Sequence, residues 1–403
     1  MRRAILVGSV LCIAACGSGV TPSERYTVRD SSGIRIAENV VPGERPVCAV
    51  SGPVTTLGVT SGGEGHELYR VFGARRLSDG RIVLVNQGSQ EIRFFDGEGT
   101  FLSSSGREGE GPGEFRDAFL IWVTAGDTLW VGDYRPWQFH VFDPQGLWIR
   151  TVRPRPELIN TPAVAAILDS GRSVLASSEY LRGYEAFEPR QITVVLYDVD
   201  GAPLDTVGVY PHGRWGQLGD DPRASYVYPF FESFTWLDGA GDRWFVGNGA
   251  SAELTVFRST PEPTLEGIIR WTAGDRTVLE RHVAAERARL RAQYADLEPA
   301  IARQLLEPLV SPERPVADQL PAFNDVVANR SGGVWVREYP EPGQPLPRHW
   351  LAFDRDGRFT CQVALPDVDV VDIGDGYVLT EQETELGVEQ VVLYEVGLPP
   401  IGP

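Results

Sequence analysis

RIVLVNQGSQEIRFFDGEGTFL (residues 81–102) and TLWVGDYRPWQFHVFDPQGLWI (residues 128–149) superpose without a gap, Phe142 of the second falling 47 residues after Phe95 of the first. Each holds two short apolar runs, an aromatic residue, an aspartate and a Gly turn. The same ending recurs six times, at Phe95-Asp96, Phe142-Asp143, Tyr197-Asp198, Val256-Phe257, Phe353-Asp354 and Tyr394-Glu395. A repeat in the forties built of short strands reads as propeller blades, units that cannot bury their apolar faces alone and must stack on neighbours.

Working outward, the runs group into fours around turns such as Ser78-Asp79-Gly80 and Asp96-Gly97-Glu98-Gly99, whose residues tolerate the positive φ of tight hairpins. Five sets are complete. The sixth, from Val370 to Val396, has three strands, and PVTTLGV at residues 53–59 has no unit of its own. That strand is expected to complete the sixth set and so remove an open edge. The expected fold is therefore all-β, a six-bladed β-propeller closed by an N-terminal strand. A hairpin over Tyr26–Arg29 and Ile34–Ala37 precedes it, and the insertion SSEYLRGYEAFEPR interrupts the third set.

The period changes once. Thr277-Val278-Leu279-Glu280 has the form of a capping box, and Leu279, Val283, Leu290, Tyr294 and Leu297 recur at helical steps. Pro299 breaks or restarts the helix, so a helical insertion is expected over about residues 276–310, between blades four and five. It would cap the propeller or dock a partner.

Arg2 and Arg3 precede an apolar run, Ala4 to Ala15, too short to cross a bilayer, where about 20 residues are needed. This reads as a signal peptide over residues 1–15. Its end, Ile13-Ala14-Ala15-Cys16, resembles a bacterial lipobox, which implies lipidation of Cys16, a tether over residues 16–24 and one domain over residues 25–403. The expected location is the bacterial cell envelope, anchored by lipid to the outer membrane on its periplasmic side or at the surface.

The mature chain keeps 35 basic against 55 acidic residues, a balance that argues against nucleic acid and against electrostatic docking on anionic lipid. Beyond the signal region only Cys48 and Cys361 remain. In an exported chain they form a disulfide or stay as two buried thiols.

GREGEGPGEF (residues 106–115), with LSDGRIVLVNQGSQEIRFFDGEG (77–99), GGVWVREY (332–339) and DIGDGYVL (372–379), resembles the bacterial six-bladed β-propeller proteins related to NHL-repeat propellers, and among them an exported lipoprotein group. The likeness covers about residues 25–396. It implies a fold rather than a chemistry, since the glycines of the GPGEF loop serve a sharp turn between neighbouring blades.

Metalloprotease and P-loop spacings are absent, and the five histidines are scattered. The residues opening the innermost strands, by register about Arg70, Asp117, Glu232, Asp325 and Asp369, are expected at the central channel. Asp117, Glu232, Asp325 and Asp369 could together hold Ca²⁺, which takes several oxygen ligands, or form a solvated rim of ion pairs. The first arrangement would suit a metal-dependent lactonase or phosphoesterase-like hydrolase, the second a binding or scaffolding module for an unknown protein or small ligand.

Overall fold

A computed structural model describes residues 25–58, 63, 65–155, 163–178, 187–218, 226–259, 263–344 and 347–397. The signal segment, the tether with Cys16, and residues 179–186 of the third-set insertion lie outside them.

The chain is mostly β. Among the described residues, six four-stranded antiparallel units follow one another, and their innermost strands are Val71–Arg76, Ala118–Thr124, Ala163–Ile167, Thr235–Ala240, Phe323–Ala328 and Asp369–Gly374. We number these units I to VI. Each inner strand packs against the next, and that of unit VI returns against that of unit I. The second strands, such as Ile82–Asn86 (IVLVN), are buried on both faces, which explains why they read as continuous apolar runs rather than alternating ones.

The core is six cores, one in each wedge between successive units. Val83, Val85 and Phe94 of unit I meet Ile121, Val131 and Phe142 of unit II. The last wedge joins Leu379 and Leu393 of unit VI to Ala74, Leu84 and Phe95 of unit I.

Three N-terminal strands attach to this ring. The hairpin β1 (Tyr26–Ser31) and β2 (Ile34–Asn39) lies on unit IV, β2 running parallel to the outer strand Thr264–Trp271. Buried Asn39 ties this edge to unit V: its amide donates to the Gly357 carbonyl at 2.9 Å, and its side-chain oxygen accepts from Phe359 N at 2.8 Å. The third strand, β3 (Val47–Leu57), supplies the fourth strand of unit VI. From Ala49 to Leu57 it pairs antiparallel with Glu389–Gly397, while Val47 and Cys48 pair parallel with Gln362 and Val363 of unit V. A disulfide joins Cys48 to Cys361 there, 313 residues apart in sequence.

The recurring aromatic–acidic–glycine ending has a local cause. At Phe95, Phe142, Phe257 and Phe353, and again around Tyr197 and Tyr394, the ladder between third and fourth strands slips by one residue in a β-bulge. The aspartate that follows caps the turn. Asp96 Oδ1 accepts from the amides of Glu98 and Thr100, and Asp143, Asp198 and Asp354 repeat the pattern. Gly99, Gly146, Gly201 and Gly357 each hold a φ between +71° and +92°, where a Cβ would be strained.

The helical segment is two helices, α1 (Glu280–Gln293) and α2 (Pro299–Val310), set between units IV and V. Thr277 does not cap α1, because its hydroxyl is turned to Asp275 at 2.7 Å. Instead His282 Nδ1 accepts from the Leu279 amide at 3.2 Å. Leu290 packs with Phe230, Phe231 and Leu320 in a seventh cluster outside the ring.

The disulfide closes a loop of 313 residues, so breaking it should cost about 2–5 kcal/mol. The Cys48→Ser/Cys361→Ser double variant is expected to stay folded with a lower denaturation midpoint, and reductant should shift the wild-type midpoint by a like amount. A mature chain lacking residues 25–58 should elute as aggregate, because it exposes the edge of Glu389–Gly397.

Candidate functional site

Five of the six inner strands carry a bulge near their start, at Val71/Ala74, Phe119/Ile121, Val164/Ala166, Phe323/Asp325 and Val370/Asp372. Each slip moves the residues beyond it to the opposite face from a regular strand's. The side chains around the axis therefore come from mid-strand. Arg75, Trp122, Ile167, Asp238, Val327 and Val371, one from each unit, surround an axial void of about 30 Å³ together with Arg330 and Asp372. This is room for about one water, so the ring is plugged.

None of the five residues expected at the channel lines this void. Arg70 is exposed at φ +54°, its guanidinium over the Phe72 ring. Asp117 accepts from Gln87 Nε2 at 2.9 Å and faces Arg135 at 3.7 Å. Glu232 is held by both Nε and Nη2 of Arg214, at 3.0 and 2.8 Å to Oε2. Asp325 lies 3.5 Å from Arg337, and Asp369 is exposed at the head of its strand. Asp325 and Asp369 do stand close enough for the charge of one to raise the pKa of the other. Asp117 and Glu232 are instead neutralised locally in units II and IV. Among the described residues no three His, Cys, Asp or Glu side chains stand where they could share a metal ion.

The acids that matter to the ring were not singled out in the sequence. Asp238 Oδ2 accepts from the Ala328 amide of unit V at 2.7 Å. Asp372 Oδ2 accepts from the Arg76 amide of unit I at 2.9 Å and from the Tyr377 hydroxyl at 2.9 Å, and Glu381 Oε1 accepts from the Gly73 amide at 2.7 Å. These carboxylates satisfy inner-strand amides of the adjoining unit that have no ladder partner. Burial raises their pKa values despite those bonds: Asp238 to about 7, Glu381 to about 7 and Asp325 to about 6, with Asp372 raised as well. A sequence signal exists in hindsight for Asp238 and Asp372, each the fourth residue of an inner strand, but the face of Asp372 depends on a bulge that composition does not reveal, and Glu381 lies on a second strand.

The histidines stay apart. His140 is buried between Gln138 Nε2 at 2.9 Å and Thr151 Oγ1 at 3.1 Å. His212 is depressed by burial, and His282 faces Glu341 at 3.2 Å. None is paired with a nucleophilic Ser or Cys in the described structure.

Larger concavities lie off the axis. One of about 520 Å³ runs between the start of α1 and unit V, lined by Arg45, Arg276, Arg348 and His282. A second, of about 260 Å³, sits beside Phe231 and Trp236 under α1. A third, of about 630 Å³, opens between units V and VI against Trp335 and the disulfide.

No protein-family model matches the chain, and no curated protein matches it. Solved structures do. A putative exported protein from Bacteroides fragilis is 12% identical over 90% of this chain and 99% of its own, with a TM-score of 0.49. A DUF4221 family member from Bacteroides vulgatus is 10% identical over 88% and 99%, with a TM-score of 0.46. The calcium-binding protein regucalcin from Agrobacterium tumefaciens is 9% identical over 83% and 95%, with a TM-score of 0.35. Likeness at this level says nothing of activity.

The raised carboxylates fix the sign of a pH effect. Folded Asp238, Asp325 and Glu381 hold protons between about pH 4 and 7 that the unfolded chain has released, so stability is full at the low end of that window and drains as pH rises. The melting temperature should fall by several degrees from pH 5 to pH 8. Asp238→Asn with Glu381→Gln, which keep the acceptor oxygens, should flatten that slope; an unchanged slope in differential scanning calorimetry would show that these groups ionise normally.

Proposed function

We propose that this chain is an exported, lipid-anchored, six-bladed β-propeller, related to the NHL-repeat type, that acts as a binding or scaffolding module. One observation carries the reading. The concavities of about 520 and 260 Å³ are both walled in part by the helical insertion, which packs through Leu290 and Phe230 onto the rim of units IV and V. An insertion that adds cavities at the rim of a repeat scaffold suits recognition. The titratable groups at the axis, in contrast, are spent on backbone amides. Anchoring rests on the Ile13-Ala14-Ala15-Cys16 sequence and the short apolar run before it.

Two measurements test this. Cys16→Ala should move the protein from the membrane fraction to the soluble one, and intact mass of the wild type should give an acylated N-terminal Cys16; an unmodified terminus elsewhere rules the anchor out. The full chain in detergent, offered lactones and phosphoesters with and without millimolar Ca²⁺, should show neither turnover nor a Ca²⁺-dependent rise in melting temperature. Turnover abolished by Asp325→Asn would replace the module reading with the metal-dependent hydrolase.

A further inference from the structure

The 260 Å³ concavity has an unusual charge balance for a chain of net charge −18. Two carboxylates line it, and each has its own arginine. Glu232 is gripped by Arg214, and Glu286 by Nε and Nη2 of Arg289 at 2.8 and 2.7 Å. Two further guanidinium groups stand beside the concavity and form no ion pair among the described residues. Arg314 donates from Nε to the Tyr228 carbonyl and from Nη1 to the Leu309 carbonyl, both at 2.7 Å, and its Cζ stands 4.0 Å from the centroid of the Phe230 ring. Arg287 reaches the same ring at 5.3 Å and donates to the Ser311 carbonyl at 3.0 Å. Neutral carbonyls and a π face orient these cations, and Arg314 also feels the charge of Glu286, which is itself paired with Arg289.

Arg314 lines the pocket, and its Nη2 hydrogen-bonds to no described residue. Tyr339, whose hydroxyl likewise hydrogen-bonds to no described residue, lines it too. Burial pushes Arg314 down to about 10 and Tyr339 up to about 12, so an arriving anion would be welcomed by the first and could accept a hydrogen bond from the second. The rings of Tyr228, Phe231, Phe234, Trp236 and Phe323 form much of the remaining wall, with Pro229, Pro321 and Asn324 between them. Phe231 is held at φ +60°, a conformation costly for a bulky residue and kept where the surroundings enforce it.

We propose that this pocket binds a small aromatic carboxylate, the acid group on Arg314 and Tyr339 and the ring among the aromatic walls. A planar guanidinium matches a carboxylate, and stacked or edge-on rings favour an aryl body over a hydrated inorganic anion. The volume lies below the range of about 300–1,000 Å³ that takes drug-sized ligands, which limits the guest to about one ring. This inference rests on the binding-module reading and names its ligand class.

The test uses the full chain in detergent, with phenylacetate and 4-hydroxyphenylacetate as probes and phenylacetamide and inorganic phosphate as comparisons, read by calorimetry and ligand-observed NMR. The aryl carboxylates should bind saturably, at least tenfold more tightly than the amide or phosphate. Arg314→Gln should lose at least tenfold while melting cooperatively; should that variant fail to fold, the carboxylate-to-amide ratio on the wild type decides alone. Equal binding of acid and amide, or no aryl carboxylate binding at millimolar concentration, overturns the ligand class. In that case a melting shift with some other class of ligand would keep the module reading, whereas hydrolytic turnover would remove it.

Discussion

A sheet that is apolar on both faces cannot stop at water. Every unit of this chain has a second strand buried on both sides, so every unit needs a neighbour above and below. A linear stack would leave two faces bare; a ring leaves none. The wedge between units VI and I, filled by Leu57, Leu379, Leu393 and Phe95, is thus the interaction on which the other five depend. Each of the other wedges joins units adjacent in sequence. This one joins the ends of the chain.

Much of that ring is legible in the sequence because its signals are local. The aromatic residue marks a bulge, the aspartate caps the turn, and the glycine takes a backbone conformation closed to other residues, all within five positions of one another. The orphan strand near residue 53 and the missing strand after Val396 are also visible as a count of strands. The axial residues are not, because facing reverses at each bulge and nothing in the stretch VFGARR announces that its ladder slips between Val71 and Ala74. Asp117 and Glu232 illustrate a second limit. Their arginine partners lie 18 residues away, Arg135 in a turn and Arg214 on the strand Pro203–Gln217, too far for pattern reading to pair them.

The acids that do reach across units serve the backbone. The inner strands are edge strands whose axis-facing amides have no ladder partner, and Asp238, Asp372 and Glu381 accept from such amides of the adjoining unit. The ring is therefore stitched at its centre by side chain to main chain contacts. The larger concavities lie outward, two of them beside the two helices. There Arg287 and Arg314 stand over the ring of Phe230, while Arg289 pairs with Glu286.

The position of β3 also sets the order of events in time. Residues 47–57 are made well before their partners, Cys361, Gln362 and the strand Glu389–Gly397, the two cysteines being 313 residues apart. Until those partners emerge this strand lacks its ladder, and unit VI cannot be completed. Contacts this distant in sequence slow folding and lengthen exposure to wrong pairings. The protein is thus most vulnerable to self-association while nascent, and least so once the last strand has been captured.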